Sequence, residues 1–190
     1  MMPRIPTIFS AALVVLGTGC GALSAPKAQF PVTITSPIVY ALNGAAPSTP
    51  AGLDFLTGSP VVVSASFAFN VALDIDSQGR VVVYPARRVA DSLVTTVAVG
   101  LQKINANFDD YTQAAKSGYV VDSTLVVPVG TTIGFNVYDT TTCTAYSLGS
   151  SYYGKFVVDS IDPVHRALYV RFASDPNCGY VTLTSGLPTK

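Results

Sequence analysis

Three cysteines, one histidine and eleven aspartates are the residues of this chain best suited to chemistry. Cys20 closes an apolar run and opens a small-residue segment in VVLGTGCGALSAP, residues 14–26, while Cys143 and Cys178 lie in the C-terminal half. A thiol at the end of a leader can take a lipid, pair with another cysteine, or leave with the leader. If Cys20 is lipidated or removed, Cys143 and Cys178 remain as a pair, and an oxidising compartment favours their disulfide. Closing that loop of about 36 residues would stabilise the fold by roughly 4 kcal/mol in the chain-entropy picture.

The other candidates read more plainly. Asp74-Ile75-Asp76-Ser77-Gln78-Gly79 echoes the first half of a calcium loop. Its fifth place holds Gln78 and its twelfth Pro85, where a calcium loop wants a shorter ligand and a bidentate glutamate. A polar hairpin turn with Gly79 at positive φ is the expectation. His165 sits in a turn beside Arg166 with no second histidine, so it lacks the three or four convergent ligands of a metal site. No G-x-S-x-G elbow accompanies it. Asp109 and Asp110 are adjacent carboxylates at a helix-start position. A glycosidase pair needs two carboxyls about 5 to 9.5 Å apart across a cleft, and nothing in the sequence selects Asp91, Asp122 or Asp139 as a partner. Arg87-Arg88 could grip a carboxylate, and Tyr146, Tyr152 and Tyr153 form an aromatic loop region near Gly149 and Gly154. These five residues are the candidate ligand contacts, tyrosines on β-scaffold loops being frequent contact residues. No catalytic residue, metal ligand or cofactor site emerges.

Composition points to strands. All eleven acids are Asp and none is Glu; Glu favours helices, whereas Asp favours turns and caps. Charged residues make up 12% and formal net charge is zero, so there is no electrostatic footprint for nucleic acid or an anionic membrane surface. The length fits one domain behind a leader. Met1 to Arg4 give a short positive start, and Ile5 to Gly17 an apolar stretch of about 13 residues, against about 20 for a membrane span. Two processing readings compete. Residues 1–24 are a signal peptide cut after Ala22-Leu23-Ser24, or the leader ends before Cys20, whose thiol is acylated. Residues 25–30 read as a spacer and 31–190 as a single domain.

Along that domain, Val32–Ser36 and Ile38–Leu42 read as strands interrupted at Pro37. Val63 to Ile75 alternates with period 2 over an unusually long run, with a bulge expected near Ser64 to Ser66. Val81–Tyr84, Leu93–Leu101, Thr131–Tyr138 and Tyr180–Thr184 add strands. Tyr153–Ile161 and Arg166–Ala173 form a hairpin whose outer face carries Tyr169, Arg171, Lys155 and Asp159. Residues 107–117, NFDDYTQAAKS, are the one helical candidate: Asn107 would cap it and Gly118 would end it. The expected fold is an all-β antiparallel sandwich with one short helix between strands.

Several short motifs carry a resemblance. Phe108-Asp-Asp-Tyr-Thr112-x-Ala114-x-x-Ser117-Gly118-Tyr119, Val129-Gly130-x-Thr132 and Tyr153-Gly154-Lys155-Phe156 resemble a pattern in small exported β-rich bacterial lipoproteins without assigned activity. Leu16-Gly17-Thr18-Gly19-Cys20 resembles their lipid-attachment box, with Gly17 where a leucine-type residue is usual. The resemblance covers residues 108–184 and implies a fold class and an export route. The expected protein is therefore a non-enzymatic domain of the cell envelope that binds or scaffolds. Its partners would be the membrane, through a lipid on Cys20, and an unidentified envelope ligand or protein. Alternatives are a structural subunit of a surface layer or fibre and a hydrolase using dispersed aspartates.

Overall fold

The computed structural model describes residues 26–64, 69–90, 97–144 and 147–188. Two antiparallel sheets stack with their apolar faces together. The larger has the order β1 (Thr33–Thr35), β12 (Ala167–Asp175), β11 (Ser151–Asp162), β10 (Ile133–Tyr138), β7 (Ala98–Lys103), β8 (Val120–Val121). β2 (Ile38–Tyr40) continues the β1 edge along β12, pairing Leu168 with Val39. Pro37 breaks the two apart, and its carbonyl still accepts from Val170 N at 3.1 Å. A proline without an N–H fits an edge strand. The smaller sheet runs β4 (Pro60–Val61), β3 (Gly52–Leu53), β5 (Val71–Ile75), β6 (Val81–Pro85), β9 (Leu125–Val127).

Period-2 alternation decides which side chains fill the middle. Leu73, Val81 and Val83 from the smaller sheet meet Leu101, Ile133, Phe135, Phe156, Val158, Leu168, Val170 and Phe172 from the larger. At the centre Phe55, just beyond β3, lies 3.9 Å centroid to centroid from Phe135, with Phe156 at 5.7 Å and Phe172 at 5.9 Å. Asn70 Oδ1 accepts from the Phe55 N–H at 2.6 Å and fixes the backbone that presents this ring. Gly154 makes the cluster possible. A Cβ there would overlap the Phe135 ring and come within 2.5 Å of Ala173 O.

The two-sheet expectation holds, and several elements differ from it. The run Val63–Ile75 does not form one strand: β4 stops at Val61, β5 starts at Val71, and residues 65–68 lie outside the described ones. Tyr180–Thr184 forms no strand and contributes an isolated bridge, Gln113 to Thr182. The helix is displaced. It is α1, Ala86–Val89, a single turn after Pro85, and 107–117 is not helical. Asn107 O does accept from Asp110 N and Tyr111 N, so one turn starts there. Beyond it the carbonyls are taken by tertiary partners. Lys155 Nζ claims Tyr111 O, and Ala115 N donates to the Tyr111 hydroxyl instead of its carbonyl. Ala114 N pairs with Val181 O, and Leu183 N with Thr112 O.

Because Phe55 joins both sheets, Phe55→Ala should cost about 3–5 kcal/mol, and Phe55→Leu well under half of that. Urea unfolding of the disulfide-intact protein measures both. Equal small losses would mean that the sheets pack without that ring.

Candidate functional site

The C-terminal end of β12 and the loop after β10 meet at one end of the sandwich. Cys143 and Cys178 are disulfide-bonded there, with Cα atoms 5.6 Å apart. Asp139 organises the loop: its carboxylate accepts from Thr141 N, Thr142 N and Thr142 Oγ1, while its carbonyl accepts from Cys143 N. Burial pushes the Asp139 carboxyl up, yet the hydrogen bonds from Thr142 and Thr141 outweigh it and hold it below the usual range.

Next to Cys178, Asn177 holds the start of the described chain. Its Oδ1 accepts from Gln29 N at 2.7 Å and Phe30 N at 3.0 Å, and its Nδ2 donates to Phe30 O at 2.7 Å. Asp175 orients Asn177 from beneath, its Oδ1 accepting from Asn177 N and Nδ2. Tyr180 adds a hydroxyl bond to Pro26 O at 2.7 Å. Residues 26–30, read from sequence as a spacer, are thus hydrogen-bonded to the body. Asp175 is fully buried and its Oδ2 has no partner. Burial raises its carboxyl above the ordinary value, with the Asn177 bonds opposing. A shallow cleft of about 190 Å³ lies here, lined by Lys27, Phe30, Thr144, Leu148, Asn177 and Tyr180 among others. A larger open groove of about 490 Å³ adjoins it, lined by Thr112, Gln113, Lys116, Tyr180 and Thr182 among others.

The outer face of the larger sheet is also built up. Residues 104–119 cross it as a strap. Ile104 and the Tyr111 hydroxyl pack at 3.2 and 3.3 Å from where a Cβ of Gly134 would stand. Phe108 joins Val32, Val157 and Ala173 in a second apolar cluster. Lys155, expected on an outward-facing surface, points that way and is nevertheless buried. Its ammonium donates to Phe108 O at 2.6 Å and Tyr111 O at 2.8 Å and sits 4.4 Å from the Phe108 ring centre. Burial lowers its pKa, and the Arg171 charge adds to that against the opposing pull of Asp109. Arg171 bridges Asp159 and Asp109 on the same face. Asp159 and Arg171, both read from the hairpin as outer-face residues, pair across its two strands.

The ligand contacts expected from sequence are not brought together. Tyr152 is 2% exposed and belongs to the core between the sheets, so it cannot face a ligand; its neighbour Tyr153 takes the outer face. Burial, with Asp54 and Asp139 nearby, raises the Tyr152 hydroxyl pKa. Tyr153 packs at a tilt against Tyr119, ring centres 6.3 Å apart. Tyr146, Asp91 and Cys20 lie outside the described residues. Arg87 and Arg88 both engage Asp122, through its carboxylate at 2.7 Å and its carbonyl at 2.6 Å, and pin the turn before β9. Asp76 is occupied by Gln78 N, Arg80 N and Arg80 Nε, and Gly79 has φ +72°, the hairpin turn expected there. His165 Nδ1 pairs with Asp162 at 2.6 Å on the exposed turn. Among the described residues no three His, Cys, Asp or Glu side chains gather as a metal set. Asn177 and Asp175 escaped sequence reading, and Lys155 and Tyr180 were read there only as strand positions. The only signal was the polar run Asp175-Pro176-Asn177 abutting a cysteine.

Two substitutions probe these arrangements. The native state holds the Asp175 proton more tightly than the unfolded chain. Its stabilising effect is therefore full below the ordinary carboxyl range and is lost as pH rises through the raised value. Asp175→Asn keeps Oδ1 and cannot ionise. Between about pH 4 and pH 8 the wild type should lose stability relative to the variant in parallel urea titrations; a difference that does not change with pH would contradict this. Lys155→Met leaves two strap carbonyls without their charged donor and should cost about 2 kcal/mol. Amide exchange across 105–118 should accelerate, and unchanged exchange would show that the strap is held by packing alone. Comparison with protein-family models, curated proteins and solved structures returned no match, and the functional reading therefore rests on the geometry of the chain itself.

Proposed function

We propose that this chain is an exported β-sandwich protein of the bacterial cell envelope, anchored by a lipid on Cys20, with a binding or scaffolding role and no catalytic step of its own. One observation carries the reading. The disulfide consumes Cys143 and Cys178 and leaves Cys20 as the single remaining thiol, at the end of the apolar leader. Structural disulfides belong mainly to oxidising compartments outside the cytosol. Among the described residues no helix is long and apolar enough to cross a membrane.

The use made of the aspartates supports a non-catalytic role. Asp54, Asp76, Asp139 and Asp162 each accept backbone N–H groups of their own turns. Carboxylates engaged this way build Asx-type turns. Asp109 and Asp122 are paired with arginines.

Mass spectrometry of the mature protein from a lipoprotein-processing bacterium tests the proposal. The expected N-terminus is Cys20 bearing diacylglycerol. An unmodified chain beginning at Ala25 would reject the lipid and keep export. A product retained in the cytoplasm with its leader uncut would reject both.

A further inference from the structure

We infer that the disulfide end of the sandwich is the membrane-facing surface, apposed to phospholipid headgroups, and that the Asp162–Arg166 hairpin at the other end points away from the bilayer. This rests on the Cys20 anchor proposed above and adds to it a fixed orientation.

The argument begins with reach. Pro26 is the first described residue, and its carbonyl is held by Tyr180. Gln29 and Phe30 are held by Asn177. Five residues, 21–25, separate Cys20 from Pro26, so those two residues can stand about 20 Å apart at most. β11 alone, at twelve residues, runs roughly 36 Å from Ser151 at the disulfide end to Asp162 at the far hairpin. A tether shorter than the body starts at one end of it, so that end is the one kept near the bilayer.

The surface around the tether suits the task. Phe30 is 56% exposed and Leu148 41% exposed, and both border the cleft beside Cys178. Apolar side chains flanked by ammonium groups fit a headgroup layer, the former entering it and the latter meeting phosphate. Lys27 lines the same cleft and Lys116 the adjoining groove. Asp139 and Asp175 are buried and bonded internally, so neither opposes an anionic headgroup. The far end differs: its turns carry the Asp76–Arg80 ion pair and the Asp162–His165 hydrogen bond. The strap-covered face carries Asp109, Asp159 and Arg171. Lying flat on either would press ion pairs against the bilayer in place of Phe30 and Leu148.

The chain contains no tryptophan, so a single introduced one reports its own position. Full-length Leu148→Trp, Phe30→Trp and Val164→Trp variants, with acylation of Cys20 checked by mass spectrometry on the same samples, are reconstituted into phosphatidylethanolamine–phosphatidylglycerol vesicles. The vesicles carry dansyl-phosphatidylethanolamine in the outer leaflet. All three sites are exposed apolar positions, Val164 at 83%, and tolerate a larger ring. Energy transfer from Leu148→Trp and Phe30→Trp should exceed that from Val164→Trp several-fold. Equal or reversed transfer in acylated protein would overturn the orientation while leaving the anchor intact. Absence of the acyl group would remove the anchor and the orientation together.

Discussion

The ring of Phe55 is the constraint on which the arrangement depends. It follows β3 of the smaller sheet, stacks on Phe135 of the larger one and packs at a tilt against Phe156 and Phe172. Each of those rings sits on a different neighbouring strand, β10, β11 and β12, so one side chain from below senses the register of three strands above. A one-residue slip in any of them would turn its phenylalanine outward. Gly154 belongs to the same constraint, since the space its side chain does not use is filled by Phe135. Aromatic burial supplies much of the core energy here, and close contact turns it into specificity of pairing.

A second theme is competition between local and tertiary hydrogen bonds. Residues 107–117 have the cap and the early acids of a helix, and they start a turn at Asn107. Lys155, buried on the sheet beneath, then takes the carbonyls of Phe108 and Tyr111. A charged donor makes stronger bonds than a neutral amide, and without its partners the buried ammonium would be costly. The strap satisfies Lys155, and Lys155 in turn keeps the strap from becoming a helix. The strap also covers Val157 and Ala173, which would otherwise lie bare on the outer face.

The end that carries the disulfide also holds the N-terminal segment. The bond to Cys143 fixes Cys178, and Asn177 stands directly beside it with three hydrogen bonds to the incoming chain. A covalent staple is thereby coupled to the position of the N-terminal segment. Among the described residues the far end carries turns built on carboxylates that accept from their own backbone. This asymmetry suits a protein that is held at one end and presents the other.

The sequence by itself indicated the all-β class, the hairpin of β11 and β12, the turn at Gly79 and, with Cys20 set aside, the cysteine pairing. These depend on short-range periodicity, turn chemistry and thiol arithmetic, which need no knowledge of distant neighbours. Tertiary structure decided the rest. Alternation made one of Tyr152 and Tyr153 face inward, but only the layer above Tyr152 made it a core residue. Lys155 read as a surface charge because its cover comes from a loop some forty residues earlier in the chain. Asn177 gained its role from residues nearly 150 positions away. A side chain's burial and partners are properties of the packed assembly, and a local pattern specifies only which face of the strand it leaves from.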